Sequence, residues 1–172
     1  MQEPNRDLDW LNQLSSTEAI NEFLKCCGSR SWATQMTERR PFTNVEHLSD
    51  EASKCWWNLG SDDWLEAFRS HPKIGEKKAA ETVSDQSRAW SGQEQSRLAN
   101  APEKVLSELA TLNEQYEKRF GFIFIVCASG KSSDEMLAIL KTRLSNDPTT
   151  ELPIAANEQE KITQLRLKKL IS

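Results

Sequence analysis

Apolar residues along this chain recur mostly three and four positions apart, the spacing of one helical face. Ile20, Phe23, Leu24 and Cys27 keep that rhythm behind Ser15-Ser16-Thr17-Glu18, a capping-box sequence, and Gly28 is placed to end the helix. A second helical stretch around Trp32 to Arg39 should stop before Pro41, because a residue preceding proline avoids the α region. Thr43 and Glu46 read as another capping box, ahead of Val45, Leu48, Ala52, Cys55, Trp56 and Leu59 at helical spacing, with Gly60 closing the segment. Ser61 or Asp62 then caps a short helix carrying Trp64, Leu65 and Phe68.

The rhythm breaks at His71-Pro72-Lys73-Ile74-Gly75-Glu76, a loop by its Pro and Gly content, and a polar segment continues to Ala89 as an exposed helix or loop. Beyond Pro102, Val105, Leu109, Leu112, Tyr116 and Phe120 form the clearest amphipathic stripe in the chain, terminated by Gly121. Ser132-Ser133-Asp134-Glu135 starts another helix with Met136, Leu137, Leu140 and Leu144, and a last helix after Asp147-Pro148 carries Ile162, Leu165 and Leu170. Phe122 to Cys127 has the β-branched and aromatic content of a buried strand, but no second segment offers it a partner. A buried extended stretch, or a helix overriding its propensity, is expected there. The pattern predicts an all-α chain: one domain over residues 1–172, a compact bundle of roughly eight helices.

Composition narrows the functions open to such a bundle. With 172 residues, 37% of them hydrophobic, the chain can bury one real core. The net charge is −4 and no basic block stands out, which argues against nucleic acid as a partner, since such binding runs on phosphate neutralisation. The four cysteines, Cys26, Cys27, Cys55 and Cys127, form no C-x-x-C and read as free thiols in a reducing compartment. With only His47 and His71 available, a zinc site of ordinary spacing is not expected. The opening Met1 to Asp9 is polar and acidic without a signal-like apolar core, and no apolar run approaches a membrane span. A cytoplasmic chain is expected.

Four places could carry chemistry. His71 begins a loop braced by Pro72, Ile74 and Gly75, and an imidazole both takes and gives protons near neutral pH. A loop histidine packed on a helix end would look the same. Ser91-Gly92-Gln93-Glu94-Gln95 reads as a capping box before Leu98, and a helix N-terminus there would also receive a carboxylate or a ureido carbonyl. The extended backbone after Gly121-Phe122 would offer N–H and C=O groups to a flat polar heterocycle, provided that they face a cavity. Arg143 and Arg166 lie in amphipathic helices; either could pair a carboxylate bidentately, or sit on a solvated face.

Taken in order, Arg40-Pro41-Phe42, His71-Pro72-Lys73-Ile74-Gly75, Ser91-Gly92-Gln93-Glu94-Gln95, Tyr116 through Phe124 and the tail from Arg143-Leu144 through Arg166-Leu167 resemble the OHCU decarboxylase family. Its members convert 2-oxo-4-hydroxy-4-carboxy-5-ureidoimidazoline to (S)-allantoin in urate breakdown. The resemblance implies an all-α bundle peculiar to the family, usually dimeric, with no metal and no organic cofactor. It implies His71 as the acid/base and Glu94 as its substrate-orienting partner. Pro72, Ser91, Gln95, the backbone of Phe124, Ile125, Val126, Cys127 and Ala128, and Arg166 would contact the ureido-imidazoline, with Arg143 as the competitor for the last role. Some family members are fused to a hydroxyisourate hydrolase, for which this chain is too short, so a functional coupling to that enzyme is the corresponding expectation. The alternatives are a helical interaction module without chemistry, an enzyme for a related ureide, or a hydrolase using Cys127, whose apolar surroundings would make it inert.

Overall fold

The computed structural model describes residues 5–73, 85–94 and 96–172. Among them the chain forms nine α-helices, one 3-10 turn and no strand. It divides into two units, Met1–Ala67 with Glu160–Ser172, and Phe68–Gln159.

The first unit opens with α1 (Leu8–Gln13), a helix that the polar N-terminus gave no reason to expect. Asp7 caps it, accepting from the Trp10 N–H at 2.9 Å. Helix α2 (Ser16–Cys26) carries the expected capping box between Ser15 and Glu18. Helix α3 (Arg30–Glu38) starts on Ser29, whose Oγ accepts from the Trp32 N–H at 3.2 Å. Helix α4 (Val45–Trp57) is capped by Asn44, not by a Thr43–Glu46 box. The Asn44 side chain takes the His47 N–H at 2.8 Å, and Thr43 instead donates its own N–H to His47 Nδ1 at 3.1 Å. Helix α5 (Ser61–Arg69) begins one residue after Gly60, whose carbonyl accepts from Trp64, so Ser61 and Asp62 lie inside the first turn.

Phe23, Trp32, Met36, Leu48 and Trp56 fill this unit's core, with Trp32 edge-on to Phe23 and its indole N–H donated to the Ala52 carbonyl. Arg40-Pro41-Phe42 is architectural. Arg40 donates to the Leu11 and Leu14 carbonyls at 2.9 and 2.7 Å, while Asn12 and the Phe42 backbone exchange two hydrogen bonds. These bonds close the α1–α2 corner against the turn before α4.

The second unit holds α6 (Asp85–Glu94), the 3-10 turn Ser96–Asn100, α7 (Glu103–Phe120), α8 (Ser133–Leu144) and the first part of α9 (Pro148–Leu170). Gly121 ends α7 at φ 81°, where a side chain would be strained. The residues after it run extended, and Phe124 through Ala128 are all buried. Phe124, Val126 and Ala128 join Leu109, Tyr116, Met136 and Leu140 in one apolar cluster, the alternation expected of extended backbone. No strand partners this segment among the described residues, and side chains take up its polar groups instead. Arg143 donates to the Ile125 carbonyl, Glu158 accepts from the Cys127 N–H, and Lys131 donates to the Cys127 carbonyl. That satisfaction by side chains is why a strand-like sequence survives alone inside a helical protein.

Candidate active site

The second unit gathers most of the residues singled out by the sequence. His71 follows the last turn of α5, its N–H bonded to the Phe68 carbonyl. The ring is half-buried, and its Nε2 lies 2.6 Å from Oε1 of Gln159 on α9. Pro72 is also half-buried, and Lys73 pairs with Glu117 of α7 at 2.9 Å. Ile74, Gly75 and Gln95 lie outside the described residues.

Ser91 and Glu94 are not a helix start. They occupy the last turn of α6, which begins at Asp85 inside the polar stretch. The helix extends upstream because tertiary burial of Trp90 and Ser91 outweighs a sequence that shows no apolar rhythm there. The expected anion-binding N-terminus at Ser91 is therefore replaced by the carbonyl end of a helix, whose dipole disfavours an anion. Glu94 is half-buried at that end.

The buried segment after Gly121 ends at Cys127 and Ala128. Burial raises the Cys127 thiol above its ordinary range; the Ser129 backbone hydrogen bond and the Lys131 cation work against that rise, while Glu158 and Glu94 add to it. Both carboxylates therefore act on the end of the segment. A thiol so held stays protonated at neutral pH, which removes the basis for a Cys127 nucleophile.

Glu158 and Gln159 are the residues that sequence reasoning missed. Both are buried, and Gln159 fully so. The polar run Asn157 to Glu160 hid them, yet a signal was present: Ala155, Gln159, Ile162 and Arg166 share one face of α9 at helical spacing.

The two arginines separate sharply. Arg143 is committed to the protein: its guanidinium pairs with the fully buried Glu151, donates to the Ile125 carbonyl and lies over the Phe124 ring at 4.7 Å. Tyr116 also donates to Glu151, and burial drives its phenol far above the ordinary range. Arg166 belongs to the first unit, where it is buried and donates to the Lys25 carbonyl at 3.3 Å. There it also acts on the Cys26 and Cys27 thiols, opposing their burial-driven rise; Cys27 is pushed up to about 12.

No group of three or more His, Cys, Asp or Glu side chains that could hold a metal occurs among the described residues. None of the described helices is long and apolar enough to cross a membrane.

Comparison with known proteins matches this arrangement to one family. The family model for OHCU decarboxylase covers residues 12–168. The chain is 44% identical over 153 residues to the uric acid degradation bifunctional protein TTL of Arabidopsis thaliana, covering 88% of this chain and 47% of that protein. It thus spans about half the length of that relative. It is 30% identical to the 2-oxo-4-hydroxy-4-carboxy-5-ureidoimidazoline decarboxylase of Amia calva, covering 96% of this chain and 94% of the relative. A crystal structure of OHCU decarboxylase in the presence of (S)-allantoin superposes with a TM-score of 0.76 at 42% identity, covering 88% of this chain and 97% of that one. With the family model matched over nearly its whole length and the same all-α fold in a solved member, this chain belongs to the OHCU decarboxylase family.

Proposed function

We propose that this protein decarboxylates 2-oxo-4-hydroxy-4-carboxy-5-ureidoimidazoline to (S)-allantoin, with residues 1–172 acting as one functional domain. The observation that carries the reading is a cluster inside a matched family member: His71, Glu94, Glu158 and Gln159 stand on three elements of the second unit, beside the buried extended segment.

The substrate's name fixes the chemistry. One ring carbon bears both the hydroxyl and the carboxylate, and its ureido-bearing neighbour is the sp² carbon of a C=N bond. The bond to the carboxylate breaks and CO₂ leaves. Its electron pair forms a C=C bond with the ureido carbon, and the C=N π pair moves to nitrogen, which takes a proton. The resulting enol gives up its hydroxyl proton while the ureido carbon gains one, so a single proton is consumed overall. The substrate is its own electron sink, which removes the usual need for a cofactor in decarboxylation.

Glu94 orients the hydroxyl and His71 handles the proton, delivering it to one face of the ureido carbon. Pro72, Ser91 and the backbone of residues 124–128 are assigned to the site, as is Gln95 on the strength of the family resemblance alone. Arg166 is assigned to the substrate carboxylate on the strength of the family resemblance. A homodimer in the cytoplasm, coupled to a separate hydroxyisourate hydrolase, is the setting consistent with the family.

Replacement of His71 tests the assignment. His71→Ala should keep its helical circular dichroism and lose about 10²–10⁴-fold in the rate of stereoselective allantoin formation. A folded variant with near-normal rate and stereoselectivity would remove His71 from the chemistry.

A further inference from the structure

We infer that Gln159 is a positioning residue for the reaction: it accepts the Nε2 proton of His71 and so fixes both the ring orientation and the nitrogen through which His71 exchanges protons. This rests on the reading of His71 as the proton handler.

The contact is short, 2.6 Å from His71 Nε2 to Gln159 Oε1, and the two residues are 88 positions apart in sequence. Gln159 has no exposed surface, and it lies in the middle of a 23-residue helix, α9. A side chain so enclosed has few rotamers open to it, and in this orientation it presents Oε1, an acceptor, to the ring. An imidazole has two nitrogens, and the one that donates to a fixed partner dictates that the lone pair sits on the other. With Nε2–H held by Gln159, the lone pair of neutral His71 is on Nδ1, and the substrate proton moves through Nδ1.

The choice of partner matters as much as its position. A carboxylate in place of the amide would attract the imidazolium and hold the ring charged. Glutamine gives the same acceptor geometry without the charge. The neighbouring Glu158 is engaged differently, with its carboxylate turned to the Cys127 N–H at 3.3 Å. Successive residues of one helix thereby engage the His71 ring and the Cys127 N–H.

Nitrogen-15 NMR of the full chain tests this directly, because the protein has only two histidines. A His47→Asn variant assigns the signals. In the wild-type protein above the titration of the ring, His71 should show a downfield, slowly exchanging proton on Nε2 and a lone-pair shift on Nδ1. Gln159→Met, close in size and free of an acceptor oxygen, should lose that proton signal. It should also lower kcat about 10–100-fold with KM within a few-fold, the split expected when orientation is lost and binding is not. A wild-type spectrum with the lone pair on Nε2 would overturn the proposal without requiring any variant to fold. So would a folded Gln159→Met that keeps both the Nε2 proton and kcat. A wild-type protein with the Nε2 signal but no decarboxylase activity would overturn the functional reading, and with it the catalytic consequence given to Gln159.

Discussion

The two arginines of the tail, Arg143 and Arg166, were indistinguishable as letters in amphipathic helices; both are buried, and their partners separate them. Arg143 neutralises Glu151 where neither has appreciable exposure, at 7% and 0% of the side chain. Removing it would leave a carboxylate buried without its cation, which costs about 3–5 kcal/mol. Arg143→Met should therefore lower the urea midpoint sharply, whereas Arg166→Gln should chiefly raise KM in a folded enzyme. Urea titrations paired with Michaelis curves on both variants check this, and a stable Arg143→Met with a raised KM would reverse the assignment. Cys127 gives a second test at this scale. Its thiol is held above the ordinary range by burial, so alkylation by iodoacetamide at pH 7.5 should run well below the rate of an unfolded control. Rapid, selective labelling with loss of activity would restore the nucleophile reading.

Helices were legible wherever a cap preceded an apolar stripe. The Ser15 box, the Gly121 stop and the Ser132 start all stand where the sequence placed them. Two helices depart from the sequence pattern: α1, which it does not assign, and α6, which begins six residues before Ser91, where the pattern places a helix start. The cap falls on Asn44, not Thr43, with the Asn44 side chain accepting the His47 N–H, in line with the stronger N-cap preference of asparagine over threonine. At the start of α9, Asp147 accepts from Thr149 and Thr150, and these hydrogen bonds hold its carboxyl below the ordinary value. A carboxyl lowered on folding contributes stability above its unfolded pKa and loses it as pH falls through the folded one. The stability gap between the wild type and Asp147→Ala should thus be constant near neutrality and narrow below about pH 4. Urea midpoints measured from pH 7 to pH 2.5 would show it; a gap that widens on acidification would contradict the capping role.

For the molecule as a whole, the all-α class and the family were readable from ordered motifs, while the site was readable only in part. His71 and Glu94, proposed as the acid/base and its partner, drew attention through loop and motif chemistry. Glu158 and Gln159 did not, because a polar pair inside a helix normally faces water and only the packing of α9 buries it. Single extended backbone at residues 122–128 was anticipated as one of two options, and its stabilisation by Arg143, Glu158 and Lys131 could not be, since those partners come from distant positions.

The central claim is stereospecific decarboxylation, and circular dichroism of the product tests it most directly. Substrate generated fresh from urate with uricase and hydroxyisourate hydrolase is mixed with the protein, and the allantoin signal is followed in time. The account predicts a fast signal of one sign, that of (S)-allantoin, whose rate scales with the amount of this protein. A slow signal identical with and without the protein would contradict it.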